Sequence, residues 1–172
     1  MGMDLFGIKP TEKEGEHFRN NVWWWRPLAE FVQINYSDIA DKCKCWQTND
    51  GDGLDEDDAK KLAERIEQDL VVGRVRLYEE ARQIALASLD REPCKWCNST
   101  GIRTDQTGVD MGFPTEALPA ETAILTGRTH GTCNACGGIG TTEHWELSYR
   151  FNEENVAEFL TFLKSCGGFQ IC

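Results

Sequence analysis

Two short cysteine pairs, Cys94-Lys95-Trp96-Cys97 and Cys133-Asn134-Ala135-Cys136, constrain this chain more than any other feature. Each is followed by small, glycine-bearing residues: Asn98-Ser99-Thr100-Gly101 after the first, Gly137-Gly138-Ile139-Gly140 after the second. Four thiolates arriving as two close pairs suit one tetrahedral zinc ion. The glycines agree with this. After each pair the backbone has to turn tightly and aim amides at the sulfurs, which favours residues that accept positive φ. The competing reading of a Cys-x-x-Cys pair is a redox centre. That chemistry wants one pair at a helix N-terminus after a strand, whereas both pairs here sit in loop sequence. Cys94, Cys97, Cys133 and Cys136 are therefore expected to hold one structural zinc ion. A four-sulfur shell leaves no open position for a hydrolytic water. Such a site can contribute roughly 10–16 kcal/mol to local folding, so the 35-residue loop between the pairs is expected to depend on it.

With 172 residues, 40% of them hydrophobic and six tryptophans, the chain is long and apolar enough for a real core. The expectation is one domain of class α+β in three parts. Residues 1 to 93 are mainly helical, 94 to 140 form the knuckle module with its long loop, and 141 to 172 read strand–helix–strand. No run of about 18 apolar residues exists, so no membrane span is expected. The start, Met1-Gly2-Met3-Asp4-Leu5-Phe6, lacks the plan of a secretion signal, and Gly7 stands where myristoylation wants Ser or Thr. A soluble, cytoplasmic protein is expected, and in a reducing compartment cysteine pairs serve metals or redox chemistry before disulfides. The formal net charge of −11 would become about −13 with a tetrathiolate zinc site. That charge repels phosphates and disfavours nucleic acid; it fits a protein partner with a basic surface or a simple need for solubility.

Along the chain, the stretch to about Cys45 reads as helix with breaks. Pro27 is expected to open a helix whose buried face is Leu28, Phe31 and Val32. A short helix follows from Ser37 or Asp38 to Lys44. Asp55 caps the next, with Asp58 three residues on and Ala59, Leu62, Ala63, Ile66 and Leu70 at helical spacing. Gly73 breaks it, and Tyr78, Ala81, Ala85 and Leu89 continue the pattern to a stop before Pro93. The loop between the pairs is long for a structureless segment; residues 114 to 126 are expected to be disordered or to fold on a partner. Trp145, Leu147, Tyr149 and Phe151 alternate with polar residues and predict a strand. Asn152 then caps a helix with the stripe Val156, Phe159, Leu160 and Leu163, stopped at Gly167, and Phe169 to Cys172 reads as a short final strand.

Other constellations carry less chemistry. Cys43, Cys45, Cys166 and Cys172 read as free thiols, cysteine packing well as a small apolar residue; a second metal site on Cys43, Cys45 and a histidine is the alternative. The acidic run Asn49-Asp50-Gly51-Asp52-Gly53 resembles a calcium loop, but aligning Gly53 to the invariant glycine puts Thr48 and Ala59 at ligand positions. A helix cap with a solvated turn fits better. The run Trp23-Trp24-Trp25-Arg26 cannot bury all its rings on one helix face. Two are expected in the core and one partly exposed, or the run is a binding surface, since Trp and Arg make hot spots. His17, His130 and His144 are scattered, and no P-loop, dinucleotide fingerprint or catalytic triad is present. The enzyme question stays open, leaning to no.

Two resemblances add to this. Cys133-Asn134-Ala135-Cys136-Gly137-Gly138-Ile139-Gly140 reads Cys-x-x-Cys-x-Gly-x-Gly, which resembles the repeat of the cysteine-rich zinc domain of DnaJ-type chaperones; Cys94 to Gly101 has Ser99 where the first glycine belongs. That domain has four repeats, so this chain resembles half of it, and the His-Pro-Asp signature of a J-domain is missing. The opening Asp4-Leu5-Phe6-Gly7, the stretch Gly15 to Leu28, Asn49 to Leu54 and the Gly167-Gly168-Phe169 ending are similar to a family of small uncharacterised proteins of tailed phages and prophages. This resemblance implies a phage accessory protein that binds or inhibits host machinery, such as a defence system. The functional expectation is thus a non-enzymatic, zinc-stabilised acidic binding protein. The alternatives are a DnaJ-like accessory for unfolded chains, or a small-molecule or nucleotide binder using the tryptophan run.

Overall fold

The computed structural model describes residues 2–103 and 133–172, with Asp110, Glu121 and Leu125 between them. The expectation for residues 114 to 126 and the place of His130 thus lie outside the described residues, save Glu121 and Leu125. The fold is α+β, and two compact units make it up: Met1–Ala87 with Ser148–Cys172, and Ser88–Leu147. Among the described residues no helix is long and apolar enough to cross a membrane.

The first unit is built on a four-stranded antiparallel sheet in the order β2-β1-β6-β3, with β1 Gly2–Gly7, β2 His17–Asn21, β3 Gly53–Leu54 and β6 Phe169–Ile171. The opening stretch therefore begins with a hairpin and not with a helix. Its alternation is short: Met3 and Leu5 point inward, and Phe18 and Asn20 do the same opposite them. Leu5 pairs with Phe18 on one side and with Ile171 on the other, so the far end of the chain completes the strand's environment.

Helix α1 spans Val22–Asn35 and starts five residues before Pro27. Asn21 caps it, its side chain accepting from the amides of Trp23 and Trp24. Proline lacks the N–H that would bond the carbonyl four residues back. That carbonyl, of Trp23, instead accepts the Arg150 amide at 2.9 Å. The gap left by Pro27 is thereby closed by the segment leading into the last helix. Helix α2 is the short Ser37–Ala40.

Helices α3, Glu56–Val71, and α4, Arg74–Ala87, meet at Gly73. The Asp55 carboxylate accepts the Asp58 amide at 2.9 Å, as its position in the sequence predicts. Ala59, Leu62, Ala63 and Ile66 are buried, whereas α4 buries only Val75 fully and leaves Leu77 and Ile84 exposed. The last helix, α5, spans Glu153–Ser165, with Asn152 accepting the Asn155 amide at 2.9 Å. Val156, Phe159, Leu160 and Leu163 are its buried stripe, joined by Phe162. The core lies where this stripe, α1 and α3 meet the sheet. Trp25 donates its indole N–H to the Trp46 carbonyl at 2.5 Å, Trp46 donates to the Ala40 carbonyl at 2.9 Å, and both rings are buried.

The second unit holds the two-stranded ladder of β4, Glu92–Pro93, and β5, Thr141–Thr142. Strand–helix–strand is thus the order at the C-terminus, but the strand lies upstream of the residues expected to form it. Trp145–Ser148 is a 3-10 turn with Trp145 58% exposed, so its alternating pattern has no buried face. His144 decides this locally: its Nδ1 accepts the Glu146 amide at 3.3 Å and its carbonyl the Leu147 amide at 3.1 Å. Such local bonds compete with a strand ladder.

Candidate metal centre

The short ladder puts Cys94 directly after β4 and Gly140 directly before β5, which brings the two cysteine knuckles face to face. The amide of Cys94 donates to the Gly140 carbonyl at 2.9 Å, and the amide of Cys133 to the Gly101 carbonyl at 2.7 Å. Inside each knuckle the same turns recur. Ser99 N and Thr100 N bond Cys94 O and Cys97 O; Gly138 N and Ile139 N bond Cys133 O and Cys136 O. The two knuckles are therefore copies of one another, related by an approximate two-fold arrangement.

This brings together four thiols that are at most 6% exposed, with all four sulfurs within 4.8 Å of one another. Cys97 Sγ and Cys136 Sγ are 3.7 Å apart, and Cys94 Sγ and Cys133 Sγ 4.0 Å. A tetrahedron with metal–sulfur bonds of 2.3 Å has edges of about 3.8 Å. The cluster is thus compatible with one metal ion, and the donor set is soft sulfur only. Among the described residues no other group of three metal-ligating side chains comes together. Cys43 and Cys166 are buried thiols, Cys45 is half-buried and Cys172 is exposed.

The thiols do not behave alike. Burial opposes ionisation of Cys136, but the amides of Gly140 and Gly138 and the neighbouring thiols of Cys97 and Cys133 outweigh it and bring Cys136 down to about 7. The Gly140 amide donates to its sulfur at 3.3 Å. Burial pushes Cys97 up to about 11. The glycine-bearing tail of the second knuckle thus favours the thiolate of Cys136, whereas metal binding would have to expel the proton that burial holds on Cys97.

Sequence reasoning missed Arg103. It is only 6% exposed, donates from Nη1 to Asn134 Oδ1 at 2.8 Å, and sets its guanidinium 5.1 Å from the Trp96 ring centre. One side chain therefore bridges Trp96 of the first knuckle and Asn134 of the second, and brings a positive charge to the knuckle pair. Lys95 Nζ lies 5.8 Å from the same ring. An arginine two residues after Gly101 was the available signal.

The tryptophan run is split by its helix. Trp25 is buried, Trp24 half-buried and Trp23 47% exposed. Trp23 packs on Tyr149 at 4.9 Å between ring centres, and Arg26 Nη1 donates to the Tyr149 hydroxyl at 2.8 Å. One ring is in the core where two were expected. His17 pairs with Asp4 at 2.8 Å and His144 with Glu92 at 3.3 Å, so neither joins the cysteine cluster.

Fold and site together define an α+β protein with a closed four-cysteine centre. The chain matches no protein-family model, and comparison with curated proteins and with solved structures gives no match.

Proposed function

We propose that the chain is a non-enzymatic, zinc-stabilised acidic binding protein, and that its partner is a protein with a basic surface. The observation that carries this is the centre itself. Four buried cysteines at tetrahedral spacing complete a metal's shell among themselves, which is the pattern of a structural site. Zinc is the ion whose bond lengths and taste for sulfur fit. The net charge of −11 favours fast association with a basic partner. The similarity of the opening and closing segments to small phage proteins supports a phage accessory role in the host cytoplasm, binding or inhibiting host machinery such as a defence system.

Two measurements test this. Metal analysis should give one zinc per chain, with the four thiols protected from alkylation until a chelator is added. Fast reaction of one of the four in the metal-loaded protein would instead mark redox chemistry. Bait made from the full chain should retain a defined basic protein from host lysate at low salt, and deletion of the gene should alter phage growth on some strain. No retained protein and no growth effect would sink the binding role.

One observation favours a second reading. Trp96 is 50% exposed and Ile139 69% exposed, one on each knuckle. An accessory of DnaJ-like type that holds unfolded chains would use such residues. It predicts suppressed aggregation of a denatured client, lost on zinc removal; inertness with several clients removes it.

A further inference from the structure

The four clustered sulfurs are alike in chemistry but not in contact or in access. Both sulfur–sulfur pairs in hydrogen-bond contact run between the knuckles: Cys97 Sγ to Cys136 Sγ at 3.7 Å, and Cys94 Sγ to Cys133 Sγ at 4.0 Å. Within a knuckle the second sulfur faces a carbonyl instead. Cys97 Sγ lies 3.9 Å from that of Cys94, and Cys136 Sγ 4.0 Å from that of Cys133. Burial ranks the two cross pairs. Cys94 and Cys133 are fully buried, whereas Cys97 is 5% and Cys136 6% exposed. The closer pair is thus also the pair that a small solute reaches first.

A disulfide holds its sulfurs about 2.05 Å apart, so Cys97 and Cys136 have to close by roughly 1.7 Å. Main-chain bonds already hold the knuckles against each other, from Cys94 N to Gly140 O and from Cys133 N to Gly101 O. We propose that Cys97 and Cys136 form an oxidation site. Hydrogen peroxide joins them in a disulfide across the knuckles, which lets the metal go and leaves the knuckles clipped. The inference rests on the reading of the four cysteines as one zinc centre and adds the regulation of that centre.

The step balances with peroxide as the oxidant. One of the two sulfurs attacks a peroxide oxygen; the O–O bond breaks, one oxygen leaves as water and the sulfur keeps a hydroxyl as a sulfenic acid. The other sulfur attacks it; the S–S bond forms, the S–O bond breaks and the hydroxyl leaves as a second water. Two thiolates, one peroxide and two protons give one disulfide and two waters. The sulfurs lose two electrons and the peroxide gains them. Two sulfurs then remain of a four-sulfur shell, which no longer suits a tetrahedral ion.

The direction of the bond has a consequence for the fold. A bond inside one knuckle would close a four-residue turn and hold nothing else. The Cys97–Cys136 bond spans the whole loop between the pairs, and cross-links over long loops constrain the unfolded chain most. It therefore takes over from the metal as the clip. Burial keeps the step slow beside the reaction of an open thiol, so protection from alkylation and sensitivity to peroxide coexist.

The test treats the zinc-loaded full chain with hydrogen peroxide in a C45S/C172S background, which removes the two thiols outside the cluster that are not buried. A colorimetric chelator follows zinc, and mass spectrometry of unreduced peptides maps the disulfides. The first disulfide is expected between Cys97 and Cys136, with one zinc released per disulfide formed. The Gly101 and Gly140 amide signals should stay dispersed after zinc release and collapse when a reductant is added with chelator present. The same mapping on the unaltered chain decides the matter where the background fails to fold. A first disulfide within either knuckle, zinc release without a disulfide, or a Cys97–Cys136 bond with zinc retained overturns the site. Failure of the zinc reading looks different: a chain that holds no zinc at the outset yet forms the Cys97–Cys136 bond removes the metal and leaves the disulfide standing.

Discussion

The carbonyl oxygen of Gly140 accepts the amide of Cys94 at 2.9 Å, so the residue that ends the second knuckle holds the first cysteine of the other. Gly101 does the same for Cys133. Both glycines have positive φ, and a Cβ on Gly140 would stand 2.5 Å from the Ser99 carbonyl oxygen, one on Gly101 2.4 Å from that of Gly138. Gly140→Ala or Gly101→Ala should therefore destabilise the knuckle unit by about 2–4 kcal/mol, combining backbone strain with a backbone clash. Gly137→Ala, with positive φ but nothing within 4 Å of its Cβ, should cost only about 1 kcal/mol. Chelator concentration at half loss of metal measures all three. Equal behaviour of G137A and G140A would remove the role given to the close approach.

The two knuckles differ at two left-handed positions: Asn98, at φ 49°, stands where Gly137 has φ 60°, and asparagine tolerates that conformation better than most side chains; the costlier difference is the next residue. Ser99 has φ 64° where its counterpart Gly138 has φ 84°. The serine adopts the left-handed conformation at a cost that glycine avoids. Ser99→Gly should stabilise the knuckle unit by roughly 0.5–1 kcal/mol, less whatever the freer unfolded chain takes back. A thermal melt of the knuckle-unit NMR resonances checks this, and a lower midpoint in the variant would contradict it.

Removing either pair should remove the whole metal. C94S/C97S and C133S/C136S each leave two sulfurs of a four-sulfur shell, and a single shared site cannot persist on half its ligands. The hydrophobic core of the first unit contains none of these cysteines. Far-ultraviolet circular dichroism should therefore keep most of its helical signal while metal content falls to zero in both variants. Half a metal retained in either would show two separate sites.

Inside the first unit, Trp25 is among the largest fully buried side chains. Its indole N–H reaches the Trp46 carbonyl, and its ring packs edge-on against Phe159 at 6.0 Å. Trp25→Ala should cost about 3–5 kcal/mol, and Trp23→Ala, 47% exposed, under about 1 kcal/mol. Urea unfolding followed at α5 resonances separates the two.

What could be read from the sequence was what is local. Asp55 and Asn152 announce their helices because a cap and its amide lie three residues apart, and the stripe from Val156 to Leu163 follows one helix face. The cysteine quartet was legible for the same reason, as each half is a four-residue turn. The hairpin of β1 and β2 was not, since Leu5 gains its partners from residue 18 and residue 171. Trp145 to Phe151 alternates well, but alternation names a strand only where another strand offers its edge. Arg103 and Asn134 are 31 residues apart, and Asn20 and Asn155 are 135 apart; no window along the chain sees either pair.

The buried thiols away from the four-cysteine cluster set a direction for alkaline stability. Burial pushes Cys43 and Cys166 up to about 11, and burial likewise raises Tyr36, helped by its bond to Asp69, and Tyr78. In the unfolded chain a thiol ionises near its ordinary value of about 8.5. Between that value and 11 the folded chain keeps protons that the unfolded chain has lost. Stability therefore falls as pH rises through this window and is fully present below it. The urea midpoint of the first unit should drop between about pH 8 and about pH 10, below the range where lysines titrate. C43A/C166A should start from a lower midpoint, because two buried side chains shrink, yet show a shallower fall with pH. A fall as steep in the double variant as in the wild type would place the alkaline sensitivity elsewhere.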